Sequence, residues 1–296
     1  YSEAGDAGTV EIAVSKLLKI LNGAAITSDT YGKGNAGNVT VNAGEIYIDG
    51  GATEQFTGIS SDANTDSRGE AGAVSVIVDG LMEVFNGARI SSSTYGLGNA
   101  GSLKIIAENL TLDNQDRVNH YTGISSNAYA ESMGDAGEVD IIVDRLLALF
   151  RGGDISSSTF SNGNAGNVTV NAGEICIDAG GTGQFTGLSS QANSGSLGNA
   201  GTVTITADDL IELYNGAQIA SSTYGQGNAG SVKIHSGQLI VDDQGTIGQY
   251  TGIWSETYSE TGDAGTVDIT TEGLLALVNG GQISSSTFAF GDAGNV

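Results

Sequence analysis

The sequence predicts an all-β repeat solenoid. Three observations carry that expectation: a turn tripeptide with a fixed period, apolar residues that alternate with polar ones between the turns, and a composition of strand and turn formers. A tripeptide of Asn, Asp or Glu followed by Ala-Gly opens a unit at residues 6, 35, 70, 99, 135, 164, 199, 228, 263 and 292, so the units alternate between 29 and about 35 residues. Self-similarity at about 20 to 50 residues marks a solenoid, a propeller or an array, because one unit cannot bury its apolar face alone. With 47 glycines, no proline and 15% charged residues, the chain suits strands joined by tight turns.

Each unit reads as three short strands. The first follows the Ala-Gly turn and alternates in period two, as in Val10 and Ile12, Val39 and Val41, or Val168 and Val170, which predicts one buried face. The second carries Leu18 and Ile20 in short units and Ile46 and Ile48 in long ones, and usually ends in Asn-Gly or Gly-Gly, dipeptides that tolerate positive φ. The third begins at Ile26, Ile59, Ile90, Ile124, Ile155, Leu188, Ile219, Ile253 and Ile283, with a serine two residues later each time. Three strands per turn, with equivalent residues recurring in every turn, describe a parallel β-helix with three aliphatic ladders. About nine coils at about 4.8 Å give a rod roughly 43 Å long. The serines fall on the inward phase, where a column of hydroxyls can hydrogen-bond from coil to coil. A propeller needs four-stranded blades of about 40 residues, which the short unit cannot supply.

The turn tripeptide begins with an acid at Asp6, Glu70, Asp135 and Asp263 and with asparagine at Asn35, Asn99, Asn164 and Asn228. Alternating amide with acid doubles the distance between stacked charges and weakens their repulsion. Asn199 and Asp292 break the alternation.

The repeat covers residues 1–296 without a linker or a composition shift, so one β-helical array is expected. Both ends fall in mid-repeat, the mark of a fragment of a longer chain whose terminal caps lie elsewhere. The formal charge of -24, with 10 basic residues against 34 acidic ones, argues against nucleic acid as a partner. The single Cys176 gives no disulfide framework and no cysteine cluster for a structural metal. No stretch of about 18 apolar residues is present to span a membrane as a helix.

The strings GNAGNVTVNAG (residues 34–44 and 163–173), LLKILNGAAITSDTYG (17–32) and NGAQIASSTYGQGNAG (215–230) resemble the repeat region of filamentous-haemagglutinin-like exoproteins, a two-partner secretion family. The resemblance spans essentially the whole chain. It implies a right-handed parallel β-helix, passage through an outer-membrane transporter partner, and an extracellular location on the bacterial cell surface. The secretion domain that defines the family is not in the sequence. The shared motifs are scaffold and leave function open.

A catalytic site on a solenoid should break the periodicity with converging acids and bases. His120, in an inserted loop, and His235, at the end of a first strand, stand four coils apart and are expected to be solvated. Asp208 with Asp209, and Asp242 with Asp243, are sequence neighbours, which places their side chains on opposite sides of a strand or around a turn. If Ile20 and Ile48 point inward, then Leu21, Phe85, Phe150, Tyr214 and Val278 point outward, with Tyr47, Cys176 and Ile240 nearby. That predicts either an apolar stripe for lateral contact with another rod or a bulge that turns these residues into the core. The outward residues of the third strands form a flat hydroxyl-rich strip interrupted by Trp254, a ring that can stack on a sugar. Each long coil inserts about six residues that bring Phe56, Tyr121, Phe185 or Tyr250 to the same edge, and short coils place Tyr31, Tyr95, Phe160, Tyr224 or Phe288 after the third strand. These rings read either as turn packing or as ligand contacts.

The function expected from the sequence is a non-enzymatic structural and adhesive one. A surface fibre would bind multivalently to other copies of itself or neighbouring fibres, to extracellular polysaccharide, or to a host or substratum surface. The alternative is a carbohydrate-active β-helix, a lyase or hydrolase, which calls for a cleft at the inserted-loop edge with two carboxylates and a basic partner. No cofactor is expected; the acidic turns leave room for weak, peripheral calcium.

Overall fold

The computed structural model describes residues 5–115, 117, 120–245, 250–288 and 290–296. Those residues form a parallel β-solenoid of nine turns, each adding one short strand to a nine-stranded sheet and one or two strands to an eleven-stranded sheet. Val39 pairs with Val10 on one side and Val74 on the other, so equivalent residues stack in register up the rod.

The expected first and second strands are one bent strand in most coils, as in Val10–Leu21, Leu103–Asp113 and Val168–Asp178. The bend is a register shift, between Val14 and Leu17 in the first coil and between Val143 and Leu146 in the fifth. In the third and ninth coils the two strands separate, at Asp79-Gly80 and Glu272-Gly273. The short strands form the other sheet, from Ala25–Thr27 through Gly153–Ser156 to Gln282–Ser284.

Between the sheets lies a continuous aliphatic core. Ile48, Val84, Leu112, Leu149, Ile177, Leu213 and Val241 form one ladder, and Ile59, Ile90, Ile124, Ile155 and Ile219 face it, all fully buried. Each such side chain contributes about 1.5–3 kcal/mol of burial.

The repeated tripeptide closes each coil. Except at Asn99 above Glu70, the N–H of the leading residue donates to the side chain one coil below: Asn35 to Asp6 Oδ1 at 2.8 Å, Asp135 to Asn99 Oδ1 at 2.9 Å, Asp263 to Asn228 Oδ1 at 2.9 Å. An amide oxygen and a carboxylate oxygen accept equally well, so Asn and Asp interchange here. The inward serines reach the carbonyl of the serine one coil below, as Ser126 Oγ does to Ser92 O at 3.0 Å, and more closely the glycine carbonyl of their own coil, as Ser126 Oγ does to Gly101 O at 2.6 Å. That contact leaves no room for a side chain: a Cβ on Gly137 would stand 2.0 Å from Gly101 O and 2.5 Å from Ser126 Oγ. The Asn-Gly turns take positive φ at both residues, 52° and 88° at Asn22-Gly23 and 53° and 82° at Asn86-Gly87.

A candidate binding groove

The nine-stranded face is not the flat strip expected from the sequence. Its outward hydroxyls, including Ser60, Ser91, Ser125 and Ser156, are buried because aromatic rings rise on both sides of them. Three cavities of about 300, 410 and 490 Å³ lie along this face. The first two share Arg89, Tyr95 and Tyr129, and the last two share Gln191, so together they make one groove running across the strands, parallel to the rod axis.

One wall comes from the inserted loops of the long coils. Phe56, Tyr121, Phe185 and Tyr250, which the sequence leaves as either turn packing or possible glycan contacts, all line the groove, as does Trp254. The glycine two positions after each loop ring lies against the backbone of the next coil, and two of these glycines also make space for a ring. A Cβ on Gly123 would meet the Tyr121 ring at 2.7 Å, and one on Gly252 would meet the Trp254 indole at 2.8 Å. In the short coils the same position holds Arg89, Asp154, Gln218 or Gln282. Up the groove, aromatic rings and polar heads therefore alternate coil by coil. Sequence reading missed these heads. The signal was there, since the residue before the third-strand aliphatic is glycine in every long coil and large and polar in four of the five short ones.

The opposite wall is stacked rings. Tyr95, Tyr129 and Phe160 lie at centroid distances of 4.4 and 5.8 Å, and Tyr224, Tyr258 and Phe288 at 4.8 and 4.6 Å, all within 6° of parallel. Asn64 and Asn193 occupy the same place in the second and sixth coils. The middle ring of each stack, Tyr129 or Tyr258, has both faces covered and packs the wall, whereas the end rings are stacked on one face only.

Ionisable groups concentrate at the first two cavities. Asp29 and Asp62 stand on adjacent coils, and Arg89 sits over the Phe56 ring at 5.2 Å from its centroid. Burial raises the Asp62 carboxyl to about 6, against hydrogen bonds from the Ser93 N–H and Ser91 Oγ that favour ionisation. Asp154 is raised further, to about 7, by burial, and its Oδ1 is buried with no hydrogen-bond partner. Burial also drives the Tyr121 hydroxyl well above its ordinary value.

Asp29 and Asp62 also serve the backbone. Asp29 Oδ1 accepts the Asp62 N–H at 2.8 Å and Asp62 Oδ1 accepts the Ser93 N–H at 2.7 Å. Elsewhere in the same row Ser93, Asn127, Ser158 and Ser222 do this for the coil above.

The other predicted site is altered. Leu21, Phe85, Phe150, Tyr214 and Val278 do point outward, since the bend falls before Leu18 and not at residue 21. They do not make a continuous apolar stripe, because the stacked row interleaves them with Asp49, Asp113, Asp178 and Asp242. Tyr47, Cys176 and Ile240 belong to a second outward row that also holds Glu83, Thr111 and Glu212. Tyr47 takes Lys19 on its face, meets Phe85 edge-on at 5.7 Å and donates to Asp49. Burial, then Glu212 and Asp178, push the Cys176 thiol up to about 11.

His120, expected to be solvated, is partly buried against Arg117 at 3.0 Å and Glu54 at 3.4 Å, while His235 approaches only Glu272, at 3.9 Å. Among the described residues, no three of His, Cys, Asp and Glu converge to hold a metal.

These features define a solenoid with a groove along one face. No family model, curated protein or solved structure matches the chain.

Proposed function

We propose that the chain is a non-enzymatic adhesive segment of a secreted bacterial surface fibre, and that it holds polysaccharide along the groove of the nine-stranded face. Export through an outer-membrane transporter and display at the cell surface rest on the resemblance of the repeat strings. The observation that carries the adhesive reading is the groove itself: three overlapping cavities in a line, with aromatic rings and polar heads alternating from coil to coil. Sugars are recognised by such pairing of flat apolar faces with fixed polar groups. A repeating floor also sums weak contacts over many sugars. Other rods are the less favoured partner, since the outward row meant for them carries a carboxylate in every second coil. Electrophoresis through gels containing polysaccharide tests the reading. Retardation by at least one polysaccharide, weakened in Tyr250→Ala, is the expected result, and unretarded migration in a panel spanning neutral and charged polymers would sink it.

A second reading is favoured by one observation, the cavity that brings Asp29, Asp62 and Arg89 together with an Asp62 carboxyl raised to about 6. That is the constellation a hydrolase or lyase calls for. Against it, both carboxylates hold N–H groups of the next coil, a task that serine and asparagine perform elsewhere in the row. Release of new reducing ends or unsaturated sugars from any polysaccharide, abolished by Asp62→Asn, would establish the enzymatic reading in place of the adhesive one.

A further inference from the structure

Resting on the adhesive reading, we infer that the far stretch of the groove, around Trp254, takes an uncharged, extended chain of β-1,4-linked pyranoses lying along the rod axis with one sugar per coil.

Three observations lead there. First, the cavity of about 490 Å³ presents aromatic surface from three sides: Trp254 in the floor, Tyr250, 66% exposed, on the loop wall, and Phe288 at the end of the stacked wall, whereas Tyr258 has a ring stacked on each face. Second, its polar groups include the side-chain amides of Gln191, Gln218 and Gln282 and the hydroxyl of Ser222. Among the described residues no Lys or Arg lines it, and the one acid that does, Glu256, already accepts hydrogen bonds from Tyr258 and Ser284. A polyuronate or sulfated chain would bring charge to a site without a cation, on a chain of net charge -24. Side-chain amides donate and accept at once, which matches sugar hydroxyls. Third, the groove's own geometry selects the linkage. Its polar heads recur every second coil and its loop aromatics in the coils between, at an inter-coil spacing of about 4.8 Å. A pyranose joined through equatorial 1 and 4 positions advances its chain by close to that distance, and each ring is turned over relative to the last. The chain therefore repeats every two sugars, as the groove repeats every two coils. An α-1,4-linked glucan, joined axial to equatorial, curls away from a straight floor within a few residues, and an extended α-1,4-galacturonan is set apart by its charge.

Trp254 is the only tryptophan in the chain, so its fluorescence reports on this site directly. The experiment is a titration with cellohexaose, maltohexaose and hexagalacturonate, run beside the gel retardation assay. The expected result is a saturable change in emission with cellohexaose, and an affinity at least about tenfold weaker for the other two, the scale of one lost stacking or charge-matched contact. Tyr250→Ala should weaken cellohexaose by about tenfold with unchanged far-ultraviolet circular dichroism. Trp254→Ser installs the residue used four coils earlier at Ser125, and should abolish retardation by β-1,4-glucan. Equal or tighter response to maltohexaose or hexagalacturonate would overturn the ligand class and leave the adhesive reading standing. No emission change with any oligosaccharide, while polysaccharide gels still retard the protein, would place binding away from Trp254 and overturn the inference alone. Loss of both signals would overturn the inference and the adhesive reading together.

Discussion

The middle stretch of the groove, Arg89 to Phe160, and the far stretch, Gln218 to Phe288, lie four coils apart and share one plan with different chemistry. Tyr95, Tyr129 and Phe160 stack in the first as Tyr224, Tyr258 and Phe288 do in the second. The inward serines and turn glycines agree position by position, down to the bond from Ser126 to Gly101 and its counterpart from Ser255 to Gly230. The floor differs. Arg89, Ser125, Asn127 and Asp154 in the middle stretch become Gln218, Trp254, Glu256 and Gln282 in the far one. The coil is fixed by residues that point inward or cap the turn, and the outward positions are free to change chemistry without disturbing it.

Four experiments would break or sharpen this comparison. The largest effect belongs to the shared scaffold. Gly137→Ala in the middle stretch and Gly265→Ala in the far one each drive a Cβ to within 2.0 Å of a carbonyl oxygen. Both should lower stability by about 3 kcal/mol or more in urea unfolding. Unequal losses would show that the two stretches are not built alike.

The next effect separates them. Asp154 titrates at about 7 in the fold against an ordinary value of 3.8, so between those limits the folded chain holds a proton that the unfolded chain has released. Its contribution is complete below about pH 4 and is lost as the pH rises through about 7, a change of a few kcal/mol. Asp62, raised to about 6, adds a loss of the same sign over a narrower window. Urea unfolding at pH 4.5 and pH 8 should show the fall, and Asp154→Asn should flatten most of it. Gln282 fills the matching place in the far stretch and has no proton to release. A third, smaller loss is expected from Tyr129→Ala and Tyr258→Ala. Each removes a central ring with two stacked neighbours, and each should cost about 1–3 kcal/mol, read as faster hydrogen exchange in its own three coils. The smallest is Phe150→Ser on the eleven-stranded face. Stability and sedimentation should stay unchanged within about 0.5 kcal/mol, because Asp113 and Asp178 already flank Phe150 in its row. A drop in sedimentation would revive the lateral seam.

The ladders were legible in the sequence because their cause is local and repeated: period-two aliphatics, Asn-Gly turns and a turn tripeptide each announce themselves once per coil. The rings at Phe56, Tyr121, Phe185, Tyr250 and Trp254 were equally visible, being large residues at fixed offsets. What sequence reading did not reveal was that the loop rings face the stacked rings, such as Tyr95, Tyr129 and Phe160, across a floor. That depends on the angle at which the inserted loop leaves the strand, set by contacts between coils far apart in sequence. Arg89, Asp154, Gln218 and Gln282 stayed hidden because their meaning lies in the glycines beside them in space, Gly58, Gly123, Gly187 and Gly252, rather than in neighbours along the chain. The apolar stripe failed for the same reason in reverse: read along alternate coils it is apolar, and read up the stack it is half carboxylate.

The turn tripeptide carries an evolutionary consequence. Nearly every coil presents to the next the same side-chain acceptor above and the same N–H below, as Asn35 does between Asp6 and Glu70. A gene that duplicates or deletes a block of whole coils leaves two faces that still match. Reach can therefore drift by recombination, while the chemistry of each retained stretch of groove diversifies by point mutation on its own schedule.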